Sequence, residues 1–363
     1  MTQVKFVSNV EISEDAFLSL MVRLDKFIVS HGTFDPKSII VIADGFLRNN
    51  SKLTKLHHKY AFNLIYYDNK SEPSTNYIDE LKAKVIAINN NPICIVGIGG
   101  GSTLDSAKAL SNILTNPGNC EDYQGWDLVR NQGIYKIGIP TLFGTGSETS
   151  RTCVLLNTET NIKLGMNSNF SVFDELIIDS KLSISAPIPT KIMTALDGYF
   201  HAIEIIDGKN RNIIADSFAE KSLNHFINFV HADTEKGFDE LAMSSFYGGM
   251  ALSNGIVGLI HPFSAALSSV FGVSHARGNC LAMKGLSEYY PERSDFFWKV
   301  VNKFNLEKYL IFDYEVNQDK FGALYSATVV HTKPLSNHLG LEWSKILDRR
   351  KVEKIFSVIT KGV

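Results

Sequence analysis

The chain has 363 residues, of which 44% are hydrophobic and 20% are charged, so it has ample apolar material for a folded protein of two domains. Its 36 Lys and Arg residues nearly balance its 38 Asp and Glu residues, and the net charge of −2 indicates neither a nucleic-acid partner nor an anionic membrane surface. No apolar run approaches the roughly 20 residues that a membrane-spanning helix needs.

The first half of the sequence alternates strand-like and helix-like segments. Short β-branched or apolar runs predict strands at residues 38–43, 63–67, 92–98 and 135–141. Helical spacing of apolar residues predicts helices at 77–90 and, beginning with a run of glycines, at 99–114. Because strands separated by helices pair in parallel, the sequence predicts an α/β domain with a parallel sheet and flanking helices.

The second half is predicted to be helical. From Pro187 onward strand signals almost vanish, and helical patterns cover 190–206, 213–231, 237–254, 262–271 and 293–304. We therefore predict an α/β domain at 1–182 and an all-α domain at 183–363.

The start of the sequence and its cysteines favour a cytoplasmic protein. The first ten residues lack the charged region and apolar stretch of a secretory signal. The cysteines are widely scattered, form no CxxC pair and are expected to be reduced thiols. They are Cys94, Cys120, Cys153 and Cys280.

A glycine-rich turn follows the predicted strand at 92–98. Gly99, Gly100 and Gly101 let a phosphate approach the backbone, and the next helix offers unpaired N–H groups and the positive end of its dipole. Ser102 adds a hydroxyl donor. Open α/β sheets bind ligands at the carboxyl ends of their strands, so Asp44 is a candidate to meet an adenosine ribose. A tight turn without a ligand is the alternative.

A second loop rich in Gly, Ser and Thr follows the predicted strand at 135–141. Thr141, Thr145 and Ser147 carry hydroxyls that can line a pyrophosphate or a nicotinamide. A loop without a ligand is again the alternative interpretation.

One carboxylate and three imidazoles in the second half are typical of a divalent-metal site. Asp197 and His201 are one helical turn apart, so their side chains share a face. His261 opens a later helix, and His275 follows 14 residues on. Such a set binds Fe²⁺ or Zn²⁺. For the Asp197–His201 pair alone, the alternative is a surface ion pair or a core histidine bonded to the carboxylate.

Taken together, these motifs resemble those of a known family. The chain is similar to the iron-containing (group III) alcohol dehydrogenases, of dehydroquinate-synthase-like fold, in GIGGGSTLDSAKAL (97–110), IPTLFGTGSETS (139–150), ALDGYFHAIE (195–204) and HPFSAALSSVFGVSHARGN (261–279). The resemblance covers essentially the whole chain. It implies a nucleotide-binding α/β domain, a helical metal-binding domain and a cleft between them.

The resemblance also implies which residues form the site. Those matching the pyrophosphate motif are Gly99, Gly100, Gly101, Ser102 and Asp105. Those matching the second cofactor loop and the strand after it are Thr141, Thr145, Ser147 and Lys163. The implied metal ligands are Asp197, His201, His261 and His275. The expected cofactors are NAD or NADP, with NAD favoured by Asp44, and one divalent metal, Fe²⁺ or Zn²⁺. A homodimer is expected.

Departures from the family pattern concern the substrate. Ala265 stands where family dehydrogenases often carry a histidine, and Ala276 and Arg277 follow the last ligand in place of the usual glycine. Such changes point away from a simple short-chain alcohol. The metal site itself matches the family.

A narrower resemblance suggests a sugar-acid substrate. The segments EDYQGWDLV (121–129), SRTCVLLNTET (150–160) and IKLGMNS (162–168) are similar to the branch that oxidises the terminal hydroxyl of 3-deoxy-D-manno-octulosonate (Kdo). That branch implies a partner aminotransferase, which converts the aldehyde to 8-amino-Kdo for bacterial surface polysaccharide. Arg277, or alternatively Arg151, is expected to meet the substrate carboxylate, unless both form structural ion pairs.

The sequence therefore predicts an oxidoreductase. A metal acts as a Lewis acid on the primary hydroxyl of a sugar or sugar acid, and hydride passes to the nicotinamide. The alternatives are a dehydrogenase of another small alcohol or polyol phosphate, a dehydroquinate-synthase-like lyase or cyclase, and a non-catalytic binding protein on the same scaffold.

Overall fold

The structure is a computed structural model that describes residues 4–32, 35–68, 72–232 and 237–360. In chain order, the strands are β1 (Asn9–Ile12), β2 (Ile39–Asp44), β3 (Asn63–Tyr67), β4 (Cys94–Gly99), β5 (Gly125–Trp126), β6 (Tyr135–Pro140), β7 (Thr152–Asn157), β8 (Ile162–Asn167) and β9 (Glu175–Ile178). The helices are α1 (Ala16–His31), α2 (Ser51–Tyr60), α3 (Thr75–Ile88), α4 (Gly101–Ile113), α5 (Ile188–Ile206), α6 (Ile213–His231), α7 (Gly237–Asn254), α8 (Ile260–Phe271), α9 (His275–Gly285), α10 (Pro291–Lys303), α11 (Gln318–Val329), α12 (Thr332–Leu339), α13 (Trp343–Ile346) and α14 (Arg349–Thr360).

The chain forms two units, one α/β and one helical. The α/β unit comprises Met1–Leu142, Ser147–Thr158 and Leu164–Ile184. The helical unit comprises Phe143–Gly146, Glu159–Lys163 and Ser185–Val363. The predicted fold class is confirmed. Two short segments that precede residue 182 nevertheless belong to the helical unit.

A six-stranded parallel sheet organises the α/β unit. Its strand order is β1-β9-β6-β4-β2-β3, and every pairing is parallel. The predicted strands are β2, β3, β4 and β6, whereas β1 and β9 extend the sheet on the β6 side without having been predicted. A smaller sheet has the order β5-β8-β7.

Helices cover both faces of the central sheet. Val41 and Ala43 of β2 belong to one apolar cluster with Leu20 of α1 and Leu53 of α2. On the opposite face, Gly97 of β4 lies so close to α4 that an added Cβ would meet the Ala107 side chain at 2.9 Å. The neighbouring strands β2 and β4 are therefore followed by helices on opposite faces. In open α/β sheets such a switch point is where ligands bind.

Helix α5 is buried over most of its length. Every residue from Thr194 to Ile205 is buried, and α5 packs against α6, α7 and α9. Polar side chains on this segment need partners, because burying them unpaired is costly.

Among the described residues, no helix combines the length and the apolar character that crossing a membrane requires.

The segment Phe143–Gly146 packs closely against helix backbones of its own unit. Gly144 has φ +131°, and its N–H donates to Ser245 Oγ at 2.7 Å. A Cβ at Gly144 would lie 1.8 Å from the Thr194 carbonyl oxygen, and one at Gly146 would lie 2.6 Å from the Gly249 Cα. Packing alone therefore requires glycine at both positions.

We expect Gly144→Ala to lower the free energy of unfolding by more than about 3 kcal/mol, because backbone strain and a clash with α5 add together. Gly272→Ala is the matched control, since φ there is +68° but nothing lies within 4 Å of an added Cβ. Strain alone should cost it about 1–2 kcal/mol. Urea denaturation of both variants measures the difference, and equal losses would contradict the clash.

Candidate functional site

Three helices bring together the four predicted metal ligands. Asp197 and His201 lie on α5, His261 is the second residue of α8, and His275 is the first residue of α9. Each offers one ligand atom, and these atoms all lie within 4.8 Å of one another. Asp197 and His201 are buried, while His261 and His275 are partly buried.

The spacing of these atoms fits a metal better than it fits direct hydrogen bonds. Asp197 Oδ1 lies 3.5, 3.4 and 3.6 Å from the Nε2 atoms of His201, His261 and His275. Two ligands that each lie about 2.1 Å from a tetrahedral metal are about 3.4 Å apart. A hydrogen bond between a ring nitrogen and a carboxylate is shorter, about 2.7–2.9 Å. The four residues therefore fit a divalent ion such as Zn²⁺ or Fe²⁺.

The electrostatics of Asp197 and His201 suit metal binding. Burial lowers the pKa of His201 to about 4, which keeps the imidazole neutral, the form that binds metal. Burial alone would raise the pKa of Asp197, but His201 and His275 hold it well below its usual range. Asn279 donates from Nδ2 to Asp197 Oδ1 at 2.6 Å, and its side chain is buried too.

Glu204, which was not predicted as a site residue, hydrogen-bonds to one of the predicted ligands. Its Oε2 accepts from Nδ1 of His261. Burial acts to lower the pKa of His261, but Glu204 and Asp197 outweigh it and raise that pKa to about 9. The signal was present in the sequence, because Asp197, His201 and Glu204 are spaced i, i+4 and i+7 and so share one helix face.

The first glycine loop lies at the switch point of the sheet, beside Asp44. Gly100 is the N-cap of α4, so the N-cap residue offers no side chain to the first N–H groups of the helix. The Asp44 carboxyl accepts backbone hydrogen bonds from Phe46, at 3.4 Å, and from Gly100. Burial raises the pKa of Asp44. The structure thus brings Asp44 together with the predicted phosphate loop.

The second loop begins next to the first. The Thr141 N–H donates to the Gly99 carbonyl at 3.0 Å, at the carboxyl ends of β6 and β4. Thr141 and Ser147 are buried, and Thr145 is partly buried in the segment that belongs to the helical unit. A role for these three hydroxyls in cofactor binding stays a prediction.

Asp105, which matches the pyrophosphate motif, is held by protein groups. Its carboxylate accepts from Ser147 Oγ and, at 2.9 Å, from the Val154 N–H. Lys108 Nζ lies 3.4 Å from the same carboxylate and donates to the carbonyls of Ser147 and Ser150 at 2.9 and 3.2 Å. Asp105 and Lys108 therefore fix the residues after the second loop against α4. Lys108 was not singled out as a site residue, although it stands i+3 from Asp105.

The arginines predicted to meet a carboxylate are both engaged by the protein. Arg277 donates from Nε to the Tyr309 carbonyl at 2.9 Å, and from one Nη to the Ile311 carbonyl at 2.6 Å and to Asp313 at 3.1 Å. Arg151 pairs with Asp127. These contacts match the structural alternative, and contact with a substrate stays a prediction.

Lys163, predicted for the cofactor site, lies on β8 in the part of that strand assigned to the helical unit. It is buried, and it lies near His331 of the same unit. Burial, with contributions from Lys163 and His261, lowers the pKa of His331 to about 4. A cofactor contact for Lys163 stays a prediction.

Solved structures share this fold. The crystal structure of a 1,3-propanediol oxidoreductase superposes with a TM-score of 0.82 at 18% identity, covering 99% of this chain and 100% of that one. At this identity the likeness defines the fold class, a parallel α/β unit with a helical unit. It leaves family membership to the sequence matches.

Sequence matches define the family. The model "Iron-containing alcohol dehydrogenase" matches residues 23–180, and "Fe-containing alcohol dehydrogenase family, C-terminal" matches 191–325. The NAD-dependent methanol dehydrogenase of Bacillus methanolicus is 27% identical over 260 residues, 68% of this chain and 67% of that protein. The sulfoacetaldehyde reductase of Bilophila wadsworthia is 32% identical over 216 residues, 58% of this chain and 55% of the reductase.

The chain therefore belongs to the iron-containing alcohol dehydrogenase family, as its motifs predicted. It is an oxidoreductase that acts on CH–OH groups. NAD and a divalent metal are consistent with the family and with the cluster of Asp197, His201, His261 and His275.

We expect Lys108→Met to destabilise the protein by about 3–5 kcal/mol, because it leaves the buried Asp105 carboxylate without its cation. Lys345→Met is the matched control, since Lys345 and Glu342 form an exposed pair with 74% and 70% of their side chains accessible. That change should leave stability within experimental error. Urea denaturation measures both, and a Lys108 variant as stable as the control would contradict the assignment.

Proposed function

We propose that the chain oxidises the terminal, C8 hydroxyl of Kdo to an aldehyde with NAD⁺ as hydride acceptor. The metal-dependent part of this proposal rests on one observation, the convergence of three imidazoles and one carboxylate at metal-ligand spacing. The substrate part rests on the narrower resemblance. The three segments that carry this resemblance contribute the three strands of one sheet, β5-β8-β7.

The chemistry follows from the residues of the site. Asp197, His201, His261 and His275 would hold Fe²⁺ or Zn²⁺, which when bound supplies Lewis-acid polarisation of a hydroxyl. A nicotinamide cofactor, when bound, would supply the hydride acceptor. The neutral imidazole of His201 offers a lone pair at the pH of the cell, and Asn279 holds the Asp197 carboxylate in place. Ala265 follows His261 by one turn and has no group that can carry a proton, so the proton released by the hydroxyl would need another acceptor.

The cofactor is proposed to bind at the switch point between β2 and β4. Gly99, Gly100, Gly101 and Ser102 form the turn at the beginning of α4, where the positive end of the helix dipole favours a phosphate. Asp44 lies beside Gly100 and favours a ribose hydroxyl over a 2′-phosphate. We therefore favour NAD over NADP.

The aldehyde product determines the kind of partner we propose. A free aldehyde is reactive, and a partner aminotransferase that converts it to 8-amino-Kdo would consume it.

We propose a homodimer in the cytoplasm, where the four thiols would stay reduced. All four cysteines are buried and unpaired.

A second candidate substrate is a small alcohol or its aldehyde. It is favoured by the relatives, a methanol dehydrogenase and a sulfoacetaldehyde reductase. Sulfoacetaldehyde is itself an anionic aldehyde, so the chemistry of an acid-bearing substrate is common to both candidates.

A substrate screen tests the proposal. Metal-reconstituted enzyme with NAD⁺ or NADP⁺ is offered Kdo, simple primary alcohols, glycerol and polyol phosphates, and reduced nicotinamide is followed by absorbance. We expect kcat/KM for Kdo to exceed that for an uncharged primary alcohol by roughly 10- to 100-fold, the worth of a charge-assisted contact of about 1.5–3 kcal/mol. Equal rates, or a preference for a simple alcohol, would favour the second candidate.

Arg277→Ala belongs in the same screen. A loss confined to Kdo would place this arginine at the substrate carboxylate. A loss shared by all substrates would show that its contacts with Tyr309, Ile311 and Asp313 are structural.

We expect His261→Ala to reduce kcat/KM by more than about 100-fold. Removing a residue that only hydrogen-bonds to a metal ligand typically costs about 10- to 100-fold, and removing the ligand itself should cost more. Metal content should fall below one ion per chain while the circular-dichroism spectrum stays unchanged. His225→Ala is the control, since His225 pairs with Glu240 at 2.7 Å outside the cluster. Full metal occupancy in the His261 variant would count against the ligand set.

A further inference from the structure

Glu204 carries a fully buried carboxylate that the proposed reaction does not use. Its exposed fraction is 0%. Oε2 accepts from Nδ1 of His261, and Oε1 accepts from the Ile260 N–H at 2.5 Å and from the Tyr290 hydroxyl at 3.1 Å. Three donors thus share two oxygens, and one of the donors is a metal-ligand candidate.

The surroundings of Glu204 leave it only the role of acceptor. The Tyr290 hydroxyl accepts from the Leu259 N–H at 3.1 Å, so its own proton points to Glu204. Burial, reinforced by Glu204, raises the pKa of Tyr290 well above its usual range, so the hydroxyl keeps that proton. A Cβ at Gly258 would lie 2.7 Å from the Tyr290 oxygen and 3.0 Å from Glu204 Oε1, so this side of the carboxylate admits no other group.

We propose that Glu204 is a positioning residue that selects the tautomer of His261. Its hydrogen bond keeps a proton on Nδ1, so Nε2 is the nitrogen left to bind a divalent ion, in exchange for any proton it carries, beside Asp197 Oδ1, 3.4 Å away. The hydrogen bonds from the Ile260 N–H and the Tyr290 hydroxyl hold the Glu204 carboxylate in place. The inference rests on the proposed metal-dependent function and concerns how the protein retains its metal.

Glu204→Gln tests the tautomer directly. An amide has one acceptor and one donor end, whereas the carboxylate accepts at both ends. The Ile260 N–H can only donate, so the amide oxygen must face it and the NH₂ must face His261. Nδ1 then becomes the acceptor and the proton moves to Nε2, where it blocks the metal.

We expect Glu204→Gln to weaken Zn²⁺ binding by 10- to 100-fold, measured by competition with a chromophoric chelator. Glu240→Gln is the matched control, because Glu240 pairs with His225 in the same unit but outside the cluster. It should bind Zn²⁺ as the unaltered protein does. A Glu204 variant that binds Zn²⁺ within twofold of the unaltered protein would overturn the inference.

A second measurement leaves Glu204 unaltered, so it does not depend on whether a Glu204 variant folds. In Zn²⁺-loaded protein with ¹⁵N-labelled histidine, the ring-nitrogen shifts should show His261 protonated at Nδ1 and metal-bound at Nε2. Comparison with His261→Asn assigns the signal. A proton on Nε2, or zinc on Nδ1, would overturn the inference whatever the Glu204 variant does.

The two proposals fail in different ways. If the unaltered chain binds no divalent ion, the proposed metal-dependent function is wrong and the inference is wrong with it. If it binds Zn²⁺ but turns over none of the alcohols offered, the substrate proposal fails while the role of Glu204 stands on the metal and tautomer measurements.

Discussion

The burial of one carboxylate on a helix that is enclosed over most of its length constrains the helical unit. Asp197 is 1% exposed, and a carboxylate in such surroundings must be met by donors or by a cation. The first residues of α8 and α9 meet this need by bringing His261 and His275 to it, while Asn279 donates to the same oxygen. The Nε2 atoms of the three imidazoles lie 3.5, 3.4 and 3.6 Å from Asp197 Oδ1, which is farther than a good hydrogen bond and fits ligands around one metal ion. A divalent ion held by these residues would balance the buried carboxylate and so add to the stability of the helical unit.

The glycine-rich motifs combine ligand chemistry with packing. In the second loop, Gly144 and Gly146 are required by the backbones of α5 and α7, which approach them too closely for any side chain. In the first, Gly97 admits α4 to the sheet, and Asp105 with Lys108 fixes the residues after the second loop. A motif shared by a family thus reports on packing as well as on its ligand, and residues such as Asp105 have protein partners even where a cofactor is expected.

The pattern of apolar residues along the sequence predicted much of the fold, and the motifs predicted the four candidate metal ligands that α5, α8 and α9 bring together. β2, β3, β4 and β6 and the long helices of the second half follow from apolar runs and periodicity, and the motif resemblance named the family. The short strands β1 and β9 did not follow, because pairing with distant strands defines them. Helix α1 exposes Leu18, Val22 and Val29, which blurs its periodicity. Glu204 lay within a quoted motif, but only the fold shows its contact with His261.

The division of the chain has a consequence for hybrid enzymes. The backbone passes from one unit to the other after Leu142, Gly146, Thr158, Lys163 and Ile184. A chimera of two relatives joined once, near residue 184, would leave Phe143–Gly146 and Glu159–Lys163 from the wrong parent inside the helical unit. Gly144 would then pack against the α5 backbone of the other parent, at a contact that leaves no space for a side chain. A hybrid should therefore take Phe143–Gly146 and Glu159–Lys163 from the same parent as the rest of the helical unit.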